Sequence, residues 1–200
     1  ITADLNGDSH PDIVSYGNDQ GVRVFLNDGH GNLSQQQFLS TTDVWLWGMA
    51  LGDANGDGTP DIFVGTTSTI NSSRGVAVYL NNSGTFSFWS TLPFGSDTSS
   101  SLVPVDLDAD GFMDVLTMNF NGTINAMYGN GLGSFSSELT SYTVSNLWTN
   151  NFTVVDVNED SLLDFVFVEA DSSASPQTFS LRVALNQGNR VFGAPVAYSL

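Results

Sequence analysis

Cysteine is absent from the 200 residues, so neither a disulfide framework nor a thiolate metal site can form. Lysine is absent as well, and the basic residues are Arg23, Arg74, Arg182 and Arg190. That excludes a Walker-type phosphate loop and Schiff-base catalysis. Against 21 acidic residues the four arginines leave a formal net charge of −17, the wrong sign for nucleic acid or an anionic membrane surface. No run approaches the roughly 18 apolar residues of a membrane helix, so direct membrane insertion is not expected. Histidine is limited to His10 and His30, too few for a His-dependent triad or a zinc site. Neither G-x-S-x-G nor G-x-G-x-x-G occurs, and no catalytic activity is expected. The chain opens on Ile1 rather than methionine, as a processed product or an excerpt would.

What is present is enough apolar residue for a core, 40%, and an acidity gathered into four places. DLNGDSHPD (4–12), DANGDGTPD (53–61), DLDADGFMD (106–114) and DVNEDSLLD (156–164) share one register. Each has Asp at position 1, Asp or Asn at 3, and Asp at 5 and 9. Their first aspartates, Asp4, Asp53, Asp106 and Asp156, lie 49, 53 and 50 residues apart, and together the loops hold 13 of the 18 aspartates. Random acidic composition does not repeat a register four times.

Other landmarks keep step with the loops. A short apolar stretch precedes each one (ITAD, GMALGD, SLVPVD, NFTVVD), and another follows (DIVSY, DIFVG, DVLTM, DFVFV). Next come an alternating segment ending in a Gly/Asn turn and a fourth strand-like run. Period-2 alternation with β-branched and aromatic residues predicts strands, and no segment has a helical period. The chain is therefore expected to be all-β: four units of four antiparallel strands, A to D, over about 50 residues each. The expected blades span 1–43, 44–97, 98–148 and 149–200. A lone four-stranded meander cannot bury both faces, so the units must stack.

Oxygen-only donors on a tight loop suit a hard cation such as Ca²⁺. In the second loop Asp53, Asn55 and Asp57 alternate around the turn, the Thr59 carbonyl adds an oxygen, and Asp61 closes the set. Gly58 at position 6 permits the sharp turn. An EF-hand would need an acid at position 12 and flanking helices. Position 12 is Ser15, Val64, Thr117 and Phe167, and strands follow, so that motif is rejected. Solvated Asp/Asn/Gly turns without metal are the plain alternative, but a turn preference leaves the position-9 acid unexplained.

D-x-[DN]-x-D-x-x-x-D loops joining the first two strands of such units resemble the FG-GAP/VCBS repeats, which build calcium-binding β-propellers such as those of integrin α-subunits. The resemblance covers essentially the whole chain. It implies up to four Ca²⁺, with ligands Asp4, Asn6, Asp8 and Asp12; Asp53, Asn55, Asp57 and Asp61; Asp106, Asp108, Asp110 and Asp114; and Asp156, Asn158, Asp160 and Asp164. His10, Thr59, Phe112 and Leu162 at position 7 would offer main-chain carbonyls. Ser9 and Ser161 replace the family's position-6 glycine, so strained turns and weaker sites are expected there, and the third loop, with four aspartates, should bind tightest. Only four blades are present where the family's propellers usually have seven. The four units fit part of a larger ring, a small ring or an open stack.

Strand alternation puts the acidic loops and the C–D turns at one end, and the B–C loops and D–A connections at the other. The B–C loops vary in length, as partner-binding loops on a rigid scaffold do. Trp45 and Trp148 are expected in D–A connections, with Trp47 beside Trp45. These rings could stack on a sugar or could fill gaps between blades. Of the sequons at Asn32, Asn71, Asn81, Asn121 and Asn151, Asn32 and Asn81 are expected in exposed turns. The function expected is a secreted or cell-surface module for glycan or protein recognition. The alternatives are a filament or sheath subunit binding copies of itself, and an accessory region of a polysaccharide-degrading enzyme.

Overall fold

The computed structural model describes residues 1–17, 21–41, 44–68, 74–94, 99–119, 123–136, 140–143, 147–171 and 178–199. These form sixteen strands in four antiparallel sheets, each a simple up-and-down meander. The first sheet is β1 (Thr2–Ala3), β2 (Asp12–Gly17), β3 (Gly21–Asn27) and β4 (Leu33–Ser40). The second is β5 (Val44–Gly52), β6 (Asp61–Ser68), β7 (Arg74–Asn82) and β8 (Thr85–Pro93). The third is β9 (Ser99–Val105), β10 (Asp114–Asn119), β11 (Thr123–Met127) and β12 (Thr140–Thr143). The fourth is β13 (Leu147–Val155), β14 (Asp164–Asp171), β15 (Thr178–Ala184) and β16 (Val196–Ser199). The fourth sheet thus begins at Leu147, just before the boundary expected at 148.

Each acidic loop joins the first and second strands of its sheet, and its position-9 aspartate is the first residue of the second strand. Central strands are apolar on both faces because sheets cover both. In β6, Ile62 and Val64 pack toward the first sheet while Phe63 packs toward the third, and all three are fully buried. In β2 only one face is covered: Val14 is buried, whereas Ile13 and Ser15 are half-buried. Three apolar clusters join neighbouring sheets, first to second, second to third and third to fourth. No such cluster joins the fourth sheet to the first among the described residues.

The tryptophans depart from the sequence expectation. Trp45 and Trp47 lie within β5 rather than in a connection, since the strand already begins at Val44. Leu46 pairs with Thr66 and Gly48 with Gly65, which leaves Trp47 as the extra residue of a β-bulge. The bulge turns its ring inward over Gly65, where a Cβ would lie 2.4 Å from the ring. Trp47 therefore packs in the core between the second and third sheets. Trp45 is 62% exposed, at the end of β5 remote from the acidic loop. Trp148 has its backbone in β13, and its side chain lies outside the described residues, as do the middles of all four B–C loops.

Candidate metal centres

Each acidic loop is a wrap of backbone amides around aspartate. In the second loop Asp53 Oδ1 accepts Gly56 and Asp57 N–H at 2.7 and 3.2 Å, and Oδ2 accepts Gly58 N–H at 2.8 Å. Asp57 Oδ1 accepts Thr59 N–H at 2.8 Å. Asp4, Asp106 and Asp156 receive the position-5 and position-6 amides in the same way. Asp8, Asp110 and Asp160 receive the amides of His10, Phe112 and Leu162. The hydrogen bonds hold the Asp57 carboxyl below its ordinary value, the Thr59 hydroxyl contributing most, and Asp8 likewise, chiefly through Asn6.

This wrap needs two left-handed residues per loop. Position 4 is Gly7 (φ 80°), Gly56 (74°), Ala109 (61°) and Glu159 (62°). Position 6 is Ser9 (68°), Gly58 (84°), Gly111 (89°) and Ser161 (70°). The strain expected at Ser9 and Ser161 is present, and position 4 doubles it in the fourth loop. The second loop alone has glycine at both places.

The position-9 aspartates are fully buried and have a structural task. Asp61 Oδ2 accepts Ala54 N–H at 2.8 Å, and Oδ1 accepts Asn81 N–H at 2.8 Å. Asp12 ties Leu5 to Asn27, Asp114 ties Leu107 to Gly129, and Asp164 ties Val157 to Asn186 in the same manner. This carboxylate thus clamps the acidic loop to the turn after the third strand. The acid at position 9 is explained without a cation, which removes one argument made for the metal from sequence. Each oxygen still has a lone pair to give. Burial pushes Asp61 and Asp114 up to about 6 despite those amides, with the neighbouring aspartates adding to the rise.

The turn that receives the clamp also bonds the preceding sheet. Asn81 Nδ2 donates to Leu5 O at 2.9 Å, and Asn186 Nδ2 to Leu107 O at 3.0 Å. In the third sheet, where Gly129 has no side chain, Gly133 N–H donates to Ala54 O at 3.0 Å. Sequence reasoning missed this bracket, although Leu-Asn recurs at 26–27, 80–81 and 185–186. Asn81 is accordingly buried with its amide nitrogen committed, which corrects the expectation that its sequon lies in an exposed turn. Asn32 is exposed as expected, and Asn71 and Asn121 lie outside the described residues.

Position 3 separates the third loop from the rest. Asn6, Asn55 and Asn158 each donate Nδ2 to the position-5 carboxylate at 2.9 Å. Asp108 cannot donate. Its Oδ2 accepts Arg190 from the fourth sheet at 2.9 Å, and its Oδ1 is buried without a hydrogen-bond partner. Oxygen atoms of Asp106, Asp108 and Asp114 converge within 4.8 Å of one another, the one such carboxylate trio among the described residues. An orphaned acceptor on one of three converging carboxylates fits a hard cation, since unpaired buried charge is costly. In the other loops the asparagine amide would have to turn its oxygen inward to do the same.

The sequence model of the FG-GAP-like repeat matches residues 4–64, 67–117 and 106–167. None of the curated proteins compared with the chain matches it. The matched stretches take in all four acidic loops and the strands around them, and the observed sheets are blades of that kind. This chain belongs to the FG-GAP-like repeat family.

Proposed function

We propose that the chain is a calcium-stabilised extracellular recognition module, non-catalytic, whose ligand is a glycan or a protein. The orphaned Oδ1 of Asp108 amid the converging third-loop carboxylates carries the calcium half of this reading. Asp106, Asp108, Asp110 and Asp114, with the Phe112 carbonyl, would hold the ion there. The matching residues of the first, second and fourth loops would hold the others. Calcium, when bound, supplies positive charge to crowded carboxylates and cross-links the A–B loop in a chain without disulfides. Millimolar extracellular Ca²⁺ suits sites of modest affinity. The recognition half rests on B–C loops of unequal length carried by stacked sheets, and on the exposed Trp45 at that end.

Calorimetric titration of chelator-stripped protein with Ca²⁺ tests the first half. Saturable binding with a higher melting temperature is expected, because a ligand of the native state alone must stabilise it. A melting temperature indifferent to chelator sinks the reading. A glycan array probed with wild type, Trp45→Ala and Trp148→Ala tests the second, and unchanged binding dismisses the tryptophans.

A further inference from the structure

The repeats can be compared position by position where one sheet's C–D turn meets the preceding acidic loop. In the second sheet the hairpin turn has Ser83 (φ 50°) and Gly84 (φ 84°), and a Cβ on Gly84 would lie 3.3 Å from the Asn6 Cβ. In the fourth sheet the corresponding pair is Asn189 (φ 52°) and Arg190 (φ 63°), closed by Val191 N–H to Gly188 O at 3.1 Å. A type I′ turn of this kind favours glycine at its second central residue. The chain instead holds an arginine there, in a left-handed conformation that strains a residue bearing a side chain. Strain kept at one repeat and absent from its counterpart points to use.

The use is visible in what Arg190 touches. Its Nε and an NH₂ nitrogen reach Asp108 Oδ2 at 2.9 and 2.8 Å, and its guanidinium stacks 3.9 Å over the buried Tyr128 ring. Asp108 is the only position-3 residue of the four loops that is charged. The two departures from the repeat pattern, Gly to Arg and Asn to Asp, therefore meet each other. The candidate ligand positions hold three aspartates in the first, second and fourth loops and four in the third. Formal ligand charge is thus −3 in three loops and −4 in the third, and Arg190 brings the third back to −3.

We propose that Arg190 is a specificity-determining residue of the third loop. It occupies one oxygen of Asp108, levels the loop's charge with its sisters and leaves the other oxygen for a divalent rather than a trivalent ion. This rests on the calcium reading and deepens it. On this reading Arg190 offsets the extra charge of the fourth aspartate, on which the expectation of a tightest third loop rests.

The test uses the ¹⁵N-labelled full chain, titrated in separate samples with Ca²⁺ and La³⁺. The Gly111 amide reports the third loop and the Gly58 amide the second, since both donate to the first aspartate of their loops. In R190Q the La³⁺ over Ca²⁺ preference at Gly111 is expected to rise about tenfold, the effect of one unbalanced charge close to the ion. Gly58 stays unmoved and certifies the fold. R190K keeps the charge and holds the preference near wild type, and R190Q combined with D108N restores it. An unchanged preference at Gly111 in R190Q, or no restoration in the double variant, overturns the role of Arg190 while leaving calcium binding standing. A wild-type chain that takes up neither ion at either glycine overturns the calcium reading and this inference with it.

Discussion

Asp61 and Asp114 hold their carboxylates in the core by accepting two backbone amides each, yet burial still raises both to about 6 from an ordinary value of 3.8. Without metal, the folded chain therefore holds more protons than the unfolded chain between those two values. For these groups stability falls as pH rises from about 4 through 6 and levels off above. In chelator the melting temperature should drop between pH 4.5 and 7, and Asp61→Asn should flatten that slope even though it lowers the overall value. Melts across this range read it directly, and a melting temperature that climbs with pH refutes the assignment. A second residue-scale prediction concerns the fourth loop, which lacks glycine at both left-handed positions. Ser161→Gly removes about 1 kcal/mol of backbone strain. At this chain length that raises the melting temperature by about 2–4 °C. No gain would mean that the extra freedom glycine gives the unfolded chain offsets the strain relieved, since the backbone bond from residue 161 to Asp156 is kept in both.

At the scale of the element, the C–D turn decides how sheets are joined. Asn81 serves its own sheet through Pro60 O and the preceding one through Leu5 O, and it is buried. Asn27 occupies the same place in the first sheet, but its side chain stays within that sheet: Nδ2 donates to Pro11 O and Oδ1 accepts Gly29 N–H, both in an exposed setting. Asn81→Ala leaves two carbonyls without donors, at about 1–3 kcal/mol for each buried group. Asn27→Ala should cost well under 1 kcal/mol. Thermal melts of the two variants compare them, and equal losses would show that the inter-sheet bond is idle. The strands and acidic loops were legible because alternation and the aspartate register are local signals. The clamp and bracket were not: Asn81 meets Leu5 at a separation of 76 residues, and the recurring Leu-Asn marks the turn without naming its partner. Trp47 was misplaced because a bulge inserts one residue and leaves no mark in the alternation. The left-handed position 4 was hidden where Ala109 and Glu159, rather than glycine, occupy it.

For the whole molecule, three separate clusters join four sheets in sequence, so stability is expected to add by sheet and by junction. Phe63 is the test point. It is fully buried at the junction of the second and third sheets, with its ring edge-to-face against Phe135 at 6.1 Å. Its neighbours Ile62 and Val64 belong to the other junction of the same sheet. Phe63→Ala opens a cavity worth about 3–5 kcal/mol, most of it charged to one junction. The first two sheets and the last two should then melt as separate units, because each pair keeps its own cluster intact. Scanning calorimetry in chelator would show this as a van't Hoff enthalpy below the calorimetric one in the variant, where the wild type is closer to parity. On the proposed calcium reading, saturating Ca²⁺ would stabilise sheets rather than the weakened junction, so it should raise both transitions without merging them. A single two-state transition in Phe63→Ala would show instead that hydrogen bonds such as Gly133 N–H to Ala54 O suffice to couple the halves.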